Sequence, residues 1–123
     1  MRLSCSWGIS VIIFLMLLVY PTFASAYSVG EGTTGSEWSA FQNAYNAVGG
    51  ASAIGSPTGT VQTNGFTSFN GTSGHYQSFT NGSIQYLTNA GQAYAIINPL
   101  LSKWGSLGYN SGNPLGYPTS HLS

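Results

Sequence analysis

The apolar residues of the chain change their spacing along the sequence, and this change predicts where helices and strands lie. Phe41, Tyr45 and Val48 recur at helical spacing, which predicts an amphipathic helix over residues 37–48. Ser36 stands directly before this segment and is the candidate N-cap, because its hydroxyl can accept a hydrogen bond from the first turn. The glycine pair after the segment suits a helix C-terminus.

Further along, apolar and polar residues alternate, which predicts three short strands. They cover residues 75–79, 83–87 and 92–97. Asn81-Gly82 separates the first two strands and is a strong signal for a tight hairpin turn, since such turns need positive φ at both central positions. Residues 88–91 read Thr-Asn-Ala-Gly and predict a second turn. These strands are expected to form a short antiparallel sheet.

A second helix is predicted after the strands. Asn98 is its candidate cap, and Pro99 suits the first turn, where a missing N–H costs nothing. We expect Trp104 and the leucines at 100, 101 and 107 to form a buried stripe that packs near the first helix. The result is one small α+β domain. Its expected core consists of Phe41, Tyr45, Phe79, Ile84, Ile96, Leu101, Trp104 and Leu107.

A short block of an aliphatic residue, glycine, a variable residue and proline occurs twice, as Ile-Gly-Ser-Pro at 54–57 and Leu-Gly-Tyr-Pro at 115–118. Self-similarity at a period of tens of residues indicates a repeat architecture. Together with the hairpin Tyr-x-x-Phe-x-Asn-Gly-Ser-Ile-x-Tyr and the helix Lys-Trp-x-x-Leu-Gly, the blocks resemble the LGFP repeat family. The resemblance covers one unit over residues 54–120 and half a unit from Ser36, which makes about one and a half repeats.

This resemblance implies a function. LGFP repeats occur as tandem tails on secreted cell-wall enzymes, including mycolyltransferases and peptidoglycan amidases. A repeat of this kind is a non-catalytic module that holds its host at the cell envelope. In the family, acidic residues usually follow the block, whereas Gly59 and His121 stand at those places in this chain.

Residues 1–26 are predicted to be a secretory signal peptide. The apolar run at 11–19 is about half the ~20 residues that a membrane-spanning helix needs, and a small-x-small cleavage pattern ends at Ala26. We therefore expect a secreted protein that begins at Tyr27 and carries no membrane anchor, and the resemblance implies association with the cell wall. Residues 27–35 are expected to be a flexible leader, and residues 36–123 to form the repeat domain.

The chain carries almost no charge after the signal peptide. The charged side chains there are Glu31, Glu37 and Lys103. Nucleic acid and anionic lipid bind through several Lys or Arg side chains, so neither is an expected partner. Neither His75 nor His121 has an obvious carboxylate partner in the sequence. We therefore expect no enzyme activity, no cofactor and no metal, and a small cell-wall hydrolase is kept only as a third alternative.

The tyrosines and amides are the candidate binding groups. A tyrosine offers an apolar ring with a polar tip, and a neutral surface of such rings and amides suits a sugar ligand. The leading hypothesis is a module that binds cell-wall polysaccharide or another envelope component. The alternative is a structural or protein-interaction module whose tyrosines pack between repeats. The candidate ligand-binding residues are Tyr76, Tyr86, Tyr109, Tyr117 and Asn81.

Two further features bear on how the surface is used. Asn70 and Asn81 each begin an Asn-x-Ser/Thr glycosylation pattern. Repeats bury their apolar faces against one another, and one and a half units are expected to leave a face near residues 115–118 without a neighbour. We expect such a face to favour self-association.

Overall fold

Three helices and a three-stranded sheet make up the part of the chain that the structure describes. This computed structural model describes residues 27–64, 73–107 and 116–122. The helices are α1 (Gly35–Ala47), α2 (Ala51–Ile54) and α3 (Leu100–Ser106), and the strands are β1 (Gly74–Phe79), β2 (Gly82–Leu87) and β3 (Gln92–Ile97). The predicted small α+β domain is confirmed, with one more short helix than expected.

The sheet is antiparallel, with the strand order β1-β2-β3. Its strands start within one residue of the predicted positions, because the alternation of apolar and polar residues fixes them locally. The register aligns Gln77, Ile84 and Ala95 across the three strands. The second turn lies at Thr88–Gly91 as predicted, and Gly91 takes the positive φ of +65° that closes it.

The first hairpin turn is displaced by one residue from the prediction. Thr80 and Asn81 form the turn, and Gly82 is already the first residue of β2, without positive φ. Gly82 is needed for close packing instead. A Cβ at this position would lie 2.5 Å from the backbone oxygen of Ile96 and 2.9 Å from the Ile54 side chain.

One face of the sheet carries the main core, and α1 covers it. The ring of Phe41 lies 6.1 Å from that of Tyr86, and the ring of Tyr45 lies 5.7 Å from that of Phe79. The ring planes in the two pairs are inclined by 27° and 29°, a stacked arrangement that adds to the gain from burying their apolar area. The buried cluster comprises Phe41, Ala44, Ile54, Val61, Phe79, Ile84, Tyr86, Ala93, Ala95 and Ile97.

Helix α3 does not share this core, so the expectation that it packs near α1 is wrong. Trp104 is buried but lies outside the cluster, and its indole N–H donates to the backbone oxygen of Gly116 at 3.1 Å. Two leucines expected to be buried are exposed instead, Leu100 by 38% and Leu107 by 43%. Leu101 is half-buried. The predicted stripe therefore buries Trp104, whereas the leucines at its two ends are exposed.

The helix ends differ from the prediction at the N-termini. Ser36 lies inside α1, and Thr34 is the N-cap, without a side-chain capping bond. At the other end the glycine pair acts as predicted. The N–H of Gly50 donates to the oxygen of Tyr45 at 2.9 Å, and that of Gly49, at φ +107°, donates to Asn46 at 3.1 Å. These two bonds are those of a Schellman cap.

Helix α3 also starts later than expected. Pro99 is its N-cap rather than a residue of its first turn, and Asn98 makes no side-chain bond to the helix backbone. Asn98 is instead held by its own N–H, which donates to the oxygen of Asn81 in the hairpin turn at 3.0 Å. Gly108, the residue that follows Leu107, lies outside the described residues.

The two aliphatic-Gly-x-Pro blocks lead into segments on opposite edges of the sheet. After the first block, Thr58 donates to Ser78 of β1 at 2.9 Å, and Gln62 exchanges two backbone bonds with Tyr76. After the second block, Leu122 donates to Ala95 and accepts from Ile97 of β3, each at 2.8 Å. Both edges of the sheet are therefore covered, which removes free N–H and C=O groups that would template aggregation.

The open repeat face expected near the second block is not found among its described residues. Gly116, Tyr117 and Pro118 are buried, and a Cβ at Gly74 would lie 2.8 Å from carbons of the Tyr117 ring. The block thus packs onto the sheet of its own chain. Self-association stays a prediction, but it no longer has this face as its reason.

The segment expected to be a flexible leader folds back onto the domain. The side chain of Gln77, which is fully buried, holds it in place. Its amide oxygen accepts from the N–H of Gly30 at 2.8 Å, and its amide nitrogen donates to the oxygens of Ser28 and Gly59, each at 2.9 Å. Every hydrogen of this buried amide is satisfied, and residues 27–34 therefore belong to the packed structure.

Candidate functional site

The candidate tyrosines do not form one surface. Tyr86 is 8% exposed and stacks on Phe41 in the main core, whereas Tyr117 is 7% exposed and covers Gly74. Tyr76 is half-buried, and Tyr109 lies outside the described residues. A ring that stacks on a ligand must be accessible. Tyr76 is therefore the only described tyrosine of the candidate set with part of its surface open.

The candidate amide Asn81 serves the fold. Its Nδ2 donates to the backbone oxygen of Ala53 at 2.8 Å, and its N–H donates to that of Ile54 at 3.0 Å. Thr80 beside it accepts a bond from the N–H of Ser56. The hairpin turn thus holds the first block in place. Asn81 is exposed, but glycosylation of its nitrogen would remove a bond to that block. The second pattern, at Asn70, lies outside the described residues.

Burial also changes the acid–base behaviour of one candidate. Removal of the Tyr117 hydroxyl from water disfavours the charged phenolate and raises the pKa of Tyr117 to about 12. The group therefore stays neutral at physiological pH. The neutral, buried ring of Tyr117 packs against Gly74.

A histidine–carboxylate pair, which the sequence did not reveal, joins α1 to the sheet. The Nδ1 of His75 lies 2.6 Å from the Oε2 of Glu37, and both side chains are largely buried. Glu37 sits in the first turn of α1, where a carboxylate also favours the helix dipole. The expectation that neither histidine has a carboxylate partner is therefore wrong. The partners are separated by 38 residues, and only folding brings them together.

The second histidine is also part of the structure rather than a frayed end. The Nδ1 of His121 accepts a bond from the N–H of Ala95 at 3.1 Å, and its ring meets that of Tyr94 edge-on. His121 lies beside β3, while His75 is on β1 at the other side of β2. Within the described ranges no group of three potential metal ligands occurs.

A shallow groove lies between α1 and the turn that joins β2 to β3. Ser36, Ser39 and Asn43 line it from the helix, and Gln92 lines it from the start of β3. Ala40, Gly91 and Ala93 complete its wall, and its volume is about 320 Å³. No charged residue contributes to it. None of these residues was a candidate binding group in the sequence, and Ser36 was expected only as a helix cap, because serines and asparagines on a helix surface carry no signal of their own.

One large aromatic side chain is accessible on the other flank of α1. Trp38 is 45% exposed, and one edge of its indole covers Gly30, where a Cβ would lie 3.0 Å from Cδ1 of the ring. Trp38 stands three residues before Phe41 and seven before Tyr45, so helical spacing places it on the apolar side of α1, and only the structure shows that it is exposed.

The comparison with protein families agrees with the sequence. Residues 54–112 match the family model of the LGFP repeat. The resemblance drawn from the sequence is therefore confirmed for these residues. The matched span starts at the first residue of the first block and takes in all three strands and α3, whereas α1 precedes it.

The other comparisons add no relatives. No curated protein matches the chain, and no solved structure does. In the described part of the chain no helix has the length and apolar character needed to cross a membrane. The family match indicates a repeat module.

Proposed function

We propose that this protein is a secreted, non-catalytic module that binds the cell envelope or a carbohydrate through an uncharged surface. One observation carries the proposal. Among the described residues only Glu31, Glu37 and Lys103 carry a formal charge, and both carboxylates are hydrogen-bonded, Glu31 to Ser28 and Glu37 to His75. Hydroxyls, amides and a few rings remain as binding groups, and these suit neutral sugars.

The engagement of both carboxylates also favours a non-catalytic role. Paired carboxylates in a glycoside hydrolase face the scissile bond, one as acid and the other as base or nucleophile. Here Glu31 accepts bonds from the backbone and hydroxyl of Ser28, and Glu37 is occupied by His75. The hydrolase reading requires measurable turnover of cell-wall polymer that Glu37→Gln abolishes.

A second candidate is a structural or protein-interaction module. The burial of Tyr86 and Tyr117 favours it, because both rings serve packing in this structure. The two candidates differ in what they need from the surface. A sugar-binding module loses affinity when an exposed ring is removed, whereas a purely structural module has no affinity for polysaccharide to lose.

A co-sedimentation assay on purified cell walls and insoluble polysaccharides separates the candidates. We expect retention of the purified protein, and weaker retention after Trp38→Ala or Tyr76→Ala. The stacking of a sugar on an aromatic ring is comparable in energy to other aromatic contacts. Each substitution should therefore weaken the affinity about threefold to tenfold. Leu100→Ala is the matched control, since it removes an exposed apolar side chain that is not a ring. Absence of wild-type retention on every wall and polysaccharide would refute carbohydrate binding.

Secretion is tested separately. N-terminal sequencing of the protein recovered from the culture medium is expected to begin at Tyr27. Recovery of a chain that still carries Arg2 would contradict signal-peptide cleavage.

A further inference from the structure

We infer that the groove between α1 and the β2–β3 turn is a binding subsite for an uncharged saccharide, with Asn43 and Gln92 as its principal hydrogen-bonding groups. The inference rests on the proposed function and gives it a place on the molecule. None of the described candidate tyrosines lines the groove. The first reason is shape. A volume of about 320 Å³ is at the lower end of the range of small-ligand sites, roughly 300–1,000 Å³, and suits one or two sugar rings.

The second reason is the chemistry of the lining. Two hydroxyls, from Ser36 and Ser39, and two amides, from Asn43 and Gln92, surround the groove. Each of these groups can both donate and accept hydrogen bonds. The hydroxyls of a sugar also do both, so either partner can adapt its orientation to the other. An ionised ligand finds no opposite charge here, because no charged residue lines the groove.

The third reason is that these polar side chains are not used by the fold. Amides elsewhere hold the structure together: Gln42 bonds to Val29, and Gln77 and Asn81 each bond to backbone oxygens. By contrast, Asn43 and Gln92 make no side-chain hydrogen bond to any other described residue. Their donors and acceptors face solvent and are available to a ligand.

The small residues of the groove leave its centre open. Ala40 and Ala93 form the part nearest the core, and their methyl groups can contact the C–H faces of a sugar ring. Gly91 at the rim has no atom within 4 Å of the position that a Cβ would occupy. The walls are held by the packing of α1 on β3, so the site is formed before a ligand arrives.

The test compares two double variants of the full protein. In Asn43→Ala/Gln92→Ala both groove amides are removed. In the control Asn46→Ala/Asn89→Ala two exposed amides outside the groove are removed. Affinity is measured by isothermal titration with soluble neutral hexasaccharides of glucose, xylose, mannose and arabinose, and retention is measured on purified cell walls. Loss of two neutral hydrogen bonds should weaken binding by about tenfold or more, with the control within about twofold of wild type.

Backbone amide shifts provide a second readout that does not depend on a variant. On titration of a binding hexasaccharide, we expect the largest changes at Ser39, Asn43 and Gln92. Two results would refute the groove as the binding subsite while leaving the proposed function intact. The groove variant would bind as tightly as wild type, or the shift changes would be confined to other surfaces. Failure of wild type to bind any wall or hexasaccharide would overturn both. A fall in affinity confined to the groove variant supports both.

Discussion

The buried amide of Gln77 provides the sharpest test of how the N-terminal segment is held. In Gln77→Leu, a side chain of similar size removes all three bonds and leaves the N–H of Gly30 and the oxygens of Ser28 and Gly59 without this partner. The bond to Gly30 is buried, and the other two are partly buried. An unsatisfied buried group costs about 1–3 kcal/mol, and a lost partly exposed bond about 0.5–1.5 kcal/mol.

These terms add to a loss of about 2–6 kcal/mol in the free energy of unfolding, against a typical total of 5–15 kcal/mol. Urea denaturation followed by tryptophan fluorescence measures the loss, with the slope of the transition as a check that both states are unchanged. Gln62→Leu is the matched control. Its side chain is exposed, so we expect a change within about 0.5 kcal/mol. A loss below about 1 kcal/mol for Gln77→Leu would refute the role assigned to this amide.

The variant Gln77→Glu tests which way the amide group of Gln77 points. The carboxylate can still accept from Gly30, but its second oxygen would face the two carbonyl oxygens that the amide nitrogen now bonds. This repulsion favours the protonated acid in the folded state and raises its pKa above the ordinary value of about 4.3. Because the folded pKa is the higher one, stability should be greatest below that ordinary value and fall as the pH rises through the folded pKa. A variant with wild-type stability at neutral pH would contradict the geometry.

Three further outcomes are expected. Gly82→Ala should lower the free energy of unfolding by about 2 kcal/mol or more, because the new Cβ would lie 2.5 Å from a backbone oxygen of β3. Gly59→Ala is the control. A Cβ at that position has no atom within 4 Å, so the free energy of unfolding should change by at most about 1 kcal/mol. Equal denaturation midpoints for these two variants would argue against the close approach. Tyr117, with its pKa raised by burial to about 12, contributes stability that is complete below about pH 10 and is lost as the pH rises towards 12. Thermal melts should show a smaller alkaline loss in Tyr117→Phe, and an unchanged profile would exclude this residue as its cause. Glu37→Gln should lower the free energy of unfolding, measured by urea denaturation, by about 1 kcal/mol. The reason is that it removes a carboxylate that contacts His75 and lies in the first turn of α1. A change near zero would show that the pair does not stabilise the fold.

Local patterns predicted the strands well, because the alternation of apolar and polar residues is a property of consecutive positions. The hairpin turn shows where such reasoning ends. Asn81-Gly82 is a strong turn signal, yet the space taken by Ile54 and β3 requires the glycine inside the strand. The turn moves by one residue as a result. A residue that suits two roles is assigned by tertiary packing, which the local sequence does not contain.

The missed contacts share a physical cause. Gln77 meets Ser28 across 49 residues and His75 meets Glu37 across 38, so neither pair leaves a periodic signal. The exposed Leu100 and Leu107 show the converse error. Helical spacing indicates which residues share a face, but not how much of that face finds a partner. The family was visible in the sequence because motif spacing survives without knowledge of the fold, whereas the groove depends on two elements meeting.

The position of the first block has a consequence for chains in which such repeats follow one another. Val61 and Leu122 stand at the same place, seven residues after the first residue of each block. The N–H of Val61 donates to Glu31 ahead of α1, as that of Leu122 donates to Ala95 ahead of α3. The first of these segments is also bonded on its other side to β1, through Gln62 and Tyr76. In a tandem array, a segment of this kind would be the common strand between one hairpin and the next. Neighbouring repeats would then be joined through backbone bonds, and cutting the chain at the limits of sequence similarity would separate strands that belong to one sheet.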